Sequence, residues 1–108
     1  MKTLKFAENL VPLVLSGSKT RTWRFFDEKN LQVGDVLSME RKSTGEKFAS
    51  AEIVNIYEKP FKDIDVEDLN GHEKFASDSE MRETYHGYYG DRLTLDTTVR
   101  IIDFKLIA

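Results

Sequence analysis

The chain has 108 residues, a formal net charge of -3 and 40% apolar residues. This length suits one hydrophobic core and excludes two independent domains, and the composition excludes a disordered chain. The acidic balance excludes a chain-wide basic surface for nucleic acid, and the lack of cysteine excludes disulfides and thiolate catalysis. We therefore expect a single domain over residues 1–108, in which any nucleic-acid site is a local patch.

The first quarter of the chain predicts a strand, a short helix and a second strand. Polar and apolar residues alternate in Lys2–Phe6, which is typical of a strand. The helix is expected to have Asn9 as its N-cap, Pro12 in its first turn and Gly17 in a left-handed C-terminal position. Threonine and aromatic residues dominate residues 19–25 and favour a strand.

The middle of the chain predicts a β-hairpin. A strand over Val36–Arg41 is followed by a turn that contains Gly45 and then by a long strand over residues 47–59. The apolar alternation of this long strand is imperfect, which indicates a β-bulge. Residues 63–69 are acidic and predict a short helix.

The last third of the chain predicts one well-marked helix and a closing strand. Ser77 and Glu80 form a capping-box pattern that begins a helix over residues 78–88, and Gly90 ends it. Residues 97–107 then predict a half-buried strand. This order of elements favours an α+β fold, in which a small antiparallel or mixed sheet curls into a β-barrel with flanking helices.

The richest cluster of reactive side chains follows the first helix, and its sequence is Gly17-Ser18-Lys19-Thr20-Arg21-Thr22-Trp23-Arg24. On a strand, Lys19, Arg21 and Trp23 would share one face, while Thr22 and Arg24 would lie on the other. Such a segment is also typical of an edge strand with solvated cations and a tryptophan packed into the core.

These residues resemble the signature of a known family. Gly17, Lys19 and Arg24 fit the G-x-K-x-x-x-x-R pattern of the ASCH domain, and they follow a helix that ends in the glycine, as they do in that family. The likeness extends to the Val33-Gly34-Asp35-Val36 turn and to residues 71–89. It implies a small β-barrel of the PUA-like superfamily, with a cleft, lined by the signature, for a base or nucleotide.

The resemblance also implies two kinds of chemistry. Some small ASCH proteins are amidohydrolases that remove the acetyl group from N4-acetylcytidine, and another branch cleaves RNA. The residues that match the amidohydrolase branch are Lys19, Thr22 and Glu73, although Glu80 and Glu83 compete for the third role. Lys19 and Thr22 have opposite parity on a flat strand, so they share a pocket only if a turn or bulge redirects the lysine.

A second cluster lies at the end of the predicted late helix. Tyr85, His86, Tyr88 and Arg92 are residue types that stack on bases and bind phosphate in single-stranded RNA contacts. The tyrosines are equally suited to packing their rings on the core while their hydroxyls contact water. His86 is equally suited to an ordinary structural hydrogen bond. The acidic run in residues 63–68 lacks EF-hand spacing, so we expect no metal. No G-x-x-x-x-G-K-S/T or G-x-G-x-x-G motif occurs, so we also expect no cofactor.

The sequence therefore predicts a module that recognises RNA or a modified nucleoside in a cleft around Gly17, Lys19, Arg21, Trp23 and Arg24. Two enzymatic alternatives stay open, which are amidohydrolysis and RNA cleavage. The expected partner is RNA or a small nucleoside, without DNA or a membrane, and the oligomeric state is open. Polar residues interrupt the only apolar run near the N-terminus, so we expect a cytoplasmic protein.

Overall fold

A computed structural model describes residues 2–27 and 29–107. The strands in this part of the chain are β1 (Lys2–Phe6), β2 (Arg21–Phe25), β3 (Val36–Arg41), β4 (Lys47–Pro60) and β5 (Thr98–Ile107). The α-helices are α1 (Val11–Ser16) and α2 (Asp78–Tyr89), and short 3-10 helices cover Phe61–Asp63, Val66–Leu69 and Gly90–Arg92. No helix in these described ranges is long and apolar enough to cross a membrane.

The strands form one mixed sheet in the order β1-β3-β4-β5-β2. β1 pairs with β3 in parallel, and every other pairing is antiparallel. The sheet curls into a half-barrel, so its edge strands β1 and β2 stand at the two sides of an opening. This α+β architecture confirms the predicted fold class.

The bulge predicted from the imperfect alternation of the long strand is confirmed. The register between β4 and β5 shifts between Ile53 and Asn55, and a second shift between Met39 and Glu40 interrupts the pairing of β3 with β4. Bulges increase the local bend of a strand, and these two lie in the middle of the sheet, where curvature closes the half-barrel.

The core has two parts, one on each side of β5. Ile102 and Phe104 pack inside the half-barrel with side chains from β1, α1, β3 and β4. Val99 and Ile101 point to the other side and pack under α2 with Met81. The closing strand is therefore buried on both faces in its first half, whereas the sequence predicted one buried face. Its alternation did not reveal this, because a charged residue stands among the apolar positions of each face there, Arg100 on one and Asp103 on the other.

The N-terminus of α1 corrects one prediction. Leu10 occupies the N-cap position without a side-chain hydrogen bond, so Asn9 is not the cap. The residues before the helix form a backbone turn instead, in which the Leu10 amide donates to the Ala7 carbonyl at 2.9 Å. The helix start is thus stabilised by backbone bonds, which side-chain patterns do not report.

The predicted start of α2 is confirmed. The Ser77 hydroxyl accepts a hydrogen bond from the Glu80 amide at 3.1 Å, and Gly90 follows the last helical residue. The acidic segment before it forms 3-10 turns rather than one helix, and in Val66–Leu69 the carboxylates of Asp65 and Asp68 serve as caps. These two carboxylates therefore stabilise the local turn.

Candidate functional site

Lys19 lies in the joint between α1 and β2. Gly17 ends α1 with a φ of +83°, and the Lys19 amide then donates to the Leu13 carbonyl at 3.0 Å. Lys19 therefore precedes the regular part of β2, which begins at Arg21, and strand alternation does not fix the direction of its side chain. Lys19 therefore lies in the turn that follows Gly17, as predicted, and a shared pocket with Thr22 stays a prediction.

The Lys19 side chain is buried at the free edge of β2. Its ammonium group donates to the Arg21 carbonyl at 2.8 Å and to the Glu73 carboxylate at 2.6 Å, and the residue is only 2% exposed. Two of its three protons are thus held by the protein, and one remains for another partner. Of the three glutamates considered from sequence, Glu73 is the one in contact with Lys19. Glu80 and Glu83 lie on the exposed side of α2.

Gly71 places this glutamate beside the lysine. The Phe104 amide donates to the Thr20 carbonyl, so antiparallel alternation directs the Arg21 amide away from β5. The Gly71 carbonyl accepts this amide at 2.9 Å and that of Thr20 at 2.8 Å. Gly71 has a φ of +74°, and a Cβ added to it would collide with the Thr20 hydroxyl. The close contact of the two segments therefore requires glycine.

Replacing Gly71 with alanine is expected to destabilise the protein more than a positive φ alone explains. Gly45→Ala is the matched control, because Gly45 has a φ of +75° and open space around its Cβ position. We expect Gly45→Ala to cost about 1–2 kcal/mol of unfolding free energy, as left-handed backbone does for alanine. Gly71→Ala should cost a further ~1–3 kcal/mol for the steric clash, measured by urea denaturation. Equal losses would contradict the packing at Gly71.

His72 joins Glu73 to the core under α2. Its ring stacks on Trp23 with a centroid distance of 4.1 Å, and its Nε2 lies 2.9 Å from the Tyr85 hydroxyl. Its Nδ1 lies 2.8 Å from the Glu73 carbonyl oxygen and 3.5 Å from the Glu73 carboxylate. The histidine therefore holds the main-chain carbonyl of Glu73, while Lys19 holds its carboxylate.

The electrostatics of this group are set mainly by burial. Burial lowers the pKa of Lys19, and repulsion from Arg24 lowers it further, while attraction to Glu73 partly offsets both. Burial tends to raise the pKa of Glu73, but attraction to Lys19 and His72 and hydrogen bonds to the carboxylate together outweigh it, so this pKa lies below its usual value. Burial lowers the pKa of His72 to about 4, so this ring is neutral at pH 7. Lys19 is thus closer to acting as a base than an exposed lysine.

Thr22 and Arg24 face the inside of the half-barrel. Thr22 pairs with Ile102 across the strands, so its side chain points to the same side as this core residue. Thr22 is 4% exposed, and its hydroxyl makes no hydrogen bond with the described residues. A threonine hydroxyl without a structural partner is available for chemistry.

Arg24 spans the opening between the two edge strands. Its guanidinium donates to the Lys5 carbonyl of β1 at 3.1 Å and lies 5.2 Å from the centre of the Phe6 ring. Beside it is a pocket of about 390 Å³, whose lining includes Lys29 and Tyr89. Drug-sized ligands occupy pockets of this order of volume. Two cations, three aromatic rings, Leu4 and the carboxylate of Asp27 line this one.

The side chain of Arg21 is engaged within the protein. It forms a bidentate pair with Asp103, with distances of 2.6 and 3.1 Å, and donates to the Glu67 carbonyl at 2.9 Å. The neighbouring Asp68 is buried and accepts hydrogen bonds from the Tyr57 hydroxyl at 2.6 Å and from Lys59 at 2.8 Å. This network fastens the segment that leads to Gly71 onto the sheet.

The remaining predicted contact residues lie in two places. Trp23 and Tyr85 are buried in the core under α2, stacked at 5.4 Å, rather than lying on an open surface. Tyr88 is exposed, His86 lies 3.2 Å from Asp91 on the surface, and the Arg92 guanidinium covers the Phe26 ring at 3.8 Å. The late cluster therefore does not form one continuous surface with Lys19.

Among the described residues, no three histidine, aspartate or glutamate side chains are grouped as a metal site requires.

His72 is the site residue that sequence reasoning missed. Its signal was its position directly before Glu73 and after the Asn70-Gly71 turn, but nothing in the sequence shows its stacking on Trp23.

The geometry defines a small α+β half-barrel in which the buried Lys19 ammonium group pairs with the half-buried Glu73 carboxylate at the edge of β2. No family model matches the chain, and no curated protein sequence matches it significantly. Solved structures do match. The ASCH domain from Lactobacillus crispatus JV V101 superimposes with a TM-score of 0.70 at 15% identity, over 88% of this chain and 68% of that chain.

Two further structures extend this comparison. The hypothetical protein PH0355 superimposes with a TM-score of 0.78 at 22% identity, over 99% of this chain and 100% of that chain. ASCH from Zymomonas mobilis gives 0.64 at 12% identity, over 95% of this chain and 65% of that chain. These superpositions, at identities of 12–22%, establish a common fold. This protein therefore has the ASCH fold, as its signature residues indicated.

Proposed function

We propose that this protein is an amidohydrolase that removes the acyl group from an N4-acylated cytidine such as N4-acetylcytidine. The observation that carries the proposal is the buried contact of 2.6 Å between Lys19 and Glu73, residues 54 positions apart. A lysine that serves only to attract phosphate gains nothing from burial, since burial penalises its charge. A lysine whose pKa is lowered by burial is suited to proton transfer.

The first half of the reaction acylates Thr22. In the resting pair the shared proton lies on Lys19, and the reactive form arises when this proton moves across the 2.6 Å contact to Glu73, which leaves Lys19 as a neutral amine. Lys19 accepts the Thr22 proton as the hydroxyl oxygen attacks the substrate carbonyl carbon. When the C–N bond breaks, Glu73 donates its proton to the departing N4 nitrogen. Cytidine leaves, and the acyl group remains on Thr22 as an ester.

The second half returns the pair to its starting state. Water attacks the ester carbonyl carbon and gives its proton to the Glu73 carboxylate. The bond to the Thr22 oxygen breaks, and Lys19 returns its proton to that oxygen. The carboxylic acid product is released, Glu73 is protonated and Lys19 is neutral, so the cycle balances without a further reactant. Contacts between catalytic groups commonly tighten only when substrate binds. The mechanism requires such a movement, which brings the Lys19 amine to the Thr22 hydroxyl.

The pocket beside Arg24 suits the nucleoside part of such a substrate. Thr22 and Arg24 lie on one face of β2, two residues apart, which places their Cα atoms roughly 7 Å from each other. The pocket of about 390 Å³ is of the size that small organic ligands occupy. Tyr89 offers a ring for stacking on a base, and Lys29 and Arg24 offer hydrogen-bond donors.

RNA recognition without catalysis is less well supported by the geometry. Arg21 is bound to Asp103 on both arms of its guanidinium, and Trp23 is buried, so neither is free to contact a nucleotide. Binding to a long RNA requires several accessible cations along a path. RNA binding therefore serves as an alternative outcome of the experiments below, and no specific observation favours RNA cleavage.

Variants of Thr22 test the proposed nucleophile. Thr22→Val keeps the shape of the side chain but lacks the hydroxyl, and it is expected to reduce kcat/KM for N4-acetylcytidine by ~10³-fold or more. Thr22→Ser keeps a hydroxyl and should retain turnover. Thr98→Val is the matched control, because Thr98 is an exposed threonine on β5, and its activity should equal that of the wild type.

Cytidine release measured by chromatography gives the rates, and mass spectrometry of quenched reactions shows whether an acyl group is attached to the protein. Turnover by Thr22→Val at the rate of the wild type would exclude Thr22 as the nucleophile. Loss of turnover in Thr98→Val as well would indicate a general effect of removing strand hydroxyls.

A further inference from the structure

A chain of polar contacts runs from the core under α2 to the ion pair. The Tyr85 hydroxyl lies 2.9 Å from His72 Nε2, and His72 Nδ1 lies 2.8 Å from the Glu73 carbonyl oxygen. The Glu73 carboxylate lies 3.5 Å from the same Nδ1 and 2.6 Å from the Lys19 ammonium nitrogen. Four residues are therefore connected in sequence, from Tyr85 to Lys19.

The direction of these hydrogen bonds is fixed by chemistry. A carbonyl oxygen only accepts, so His72 Nδ1 carries the proton that bridges to Glu73. In a neutral ring Nε2 then has a free lone pair and accepts from the Tyr85 hydroxyl, which donates. His72 is neutral at pH 7 because burial lowers its pKa to about 4. It therefore holds Glu73 by a directed N–H dipole and leaves the net charge of the ion pair unchanged.

The histidine has little freedom to adopt another orientation. Its side chain is 1% exposed, its ring stacks on Trp23 at an interplanar angle of 23°, and Tyr85 is 6% exposed. Water has little access to either ring nitrogen. A ring turned by 180° would present a carbon to the Glu73 carbonyl and another to Tyr85, leaving buried polar groups unpaired.

We propose that Tyr85 and His72 are positioning residues that fix the main chain of Glu73, so that its carboxylate stays against Lys19 in the geometry needed for proton transfer. The kinetic part of this inference rests on the proposed amidohydrolase function. Neither residue touches the reacting atoms, so removing one is expected to slow the chemical step and leave substrate affinity nearly unchanged.

The kinetic test uses one hydroxyl deletion and a matched control. Tyr85→Phe removes only the bond to His72, and it is expected to lower kcat about tenfold with KM changed less than twofold. Tyr88→Phe is the control, because Tyr88 lies three residues further along α2 with an exposed ring, and its kinetics should equal those of the wild type. Equal kcat values for Tyr85→Phe and the wild type would overturn the proposal.

Substitutions of His72 separate positioning from packing. The side-chain amide of His72→Asn offers an N–H near the position of Nδ1, whereas His72→Leu fills the space without a donor. We expect kcat to decrease from the wild type to His72→Asn and further to His72→Leu, while both variants melt within a few degrees of each other. Equal kcat values for the two variants would mean that His72 only packs.

A spectroscopic readout keeps the inference testable if the wild type shows no turnover. Nitrogen-15 NMR of the wild-type ring should show a protonated Nδ1 and an unprotonated Nε2 at pH 7. The carboxyl carbon-13 signal of Glu73 should move in Tyr85→Phe and stay in place in Tyr88→Phe. A protonated Nε2, or a Glu73 signal unaffected by Tyr85→Phe, would overturn the positioning role whether or not the protein hydrolyses the amide.

Discussion

Lys19→Met is expected to reduce kcat/KM for N4-acetylcytidine by at least ~10³-fold, because it removes the base that activates the Thr22 hydroxyl. Methionine is close to lysine in length and apolar, so it fills the 2% exposed position of Lys19 without a buried charge. The variant should therefore fold. The activity is measured by chromatographic release of cytidine, and folding by circular dichroism and thermal melting.

Lys105→Met is the matched control for this experiment. Lys105 is an exposed lysine on β5, and the variant loses the same charge from the protein as Lys19→Met does. We expect it to retain the activity of the wild type. A folded Lys19→Met protein with the turnover of the wild type would exclude Lys19 from the reaction. Equal losses in both variants would point to a general requirement for positive charge on the protein instead.

Glu73→Gln is expected to lower the rate at neutral pH by ~10²–10⁴-fold, because glutamine cannot donate a proton to the departing nitrogen. It should also reverse the pH dependence. The wild type is active while the Lys19–Glu73 pair holds one proton, so its rate falls above the pKa of Lys19 and below that of Glu73. Both pKa values lie below the ordinary values of their residue types, so the active range is displaced to lower pH.

In Glu73→Gln only the neutral amine of Lys19 is needed, so the residual rate should rise as pH increases. Removing the carboxylate also removes the attraction that raises the pKa of Lys19, and this pKa should fall further. Kinetic pH profiles and carbon-13 NMR of the Lys19 side chain measure the two effects. Glu80→Gln on α2 is the control and should keep the profile of the wild type. A falling alkaline limb in Glu73→Gln would contradict the assigned role.

Much of the fold follows from local signals in the sequence. The glycine that ends α1, the Ser77 cap of α2 and the imperfect alternation of β4 each reflect short-range chemistry, and each predicted its element. The start of α1 differed from the prediction because backbone carbonyls, rather than the Asn9 side chain, accept hydrogen bonds from the amides there. The burial of β5 on both faces was not predicted because the residues that cover its two faces lie far away in the chain.

The candidate site was only partly predictable for the same reason. The signature marked Lys19, and the resemblance suggested Thr22 and Glu73. The contact of Lys19 with Glu73 depends on the Gly71 carbonyl at the edge of β2. The cluster of cations after the first helix suggested that Arg21 binds RNA. Its partner Asp103 is 82 residues away, so no local pattern shows that the guanidinium is occupied.

Trp23 and Tyr85 illustrate a second limit. Aromatic residues beside cations are typical of RNA contacts and also of a buried core, and only their packing under α2 distinguishes the two. His72 gains its place in the site entirely from tertiary contacts, with Trp23 on its ring face and Tyr85 on its edge.

The most direct test of the proposed function is a time course of cytidine and acid formation from N4-acetylcytidine with the purified wild-type protein. We expect cytidine and acetate to appear in equal amounts, with many molecules formed per protein molecule. No cytidine above the protein-free blank, together with salt-sensitive binding of a short RNA by the same sample, would contradict the amidohydrolase proposal and identify the cleft as a binding site.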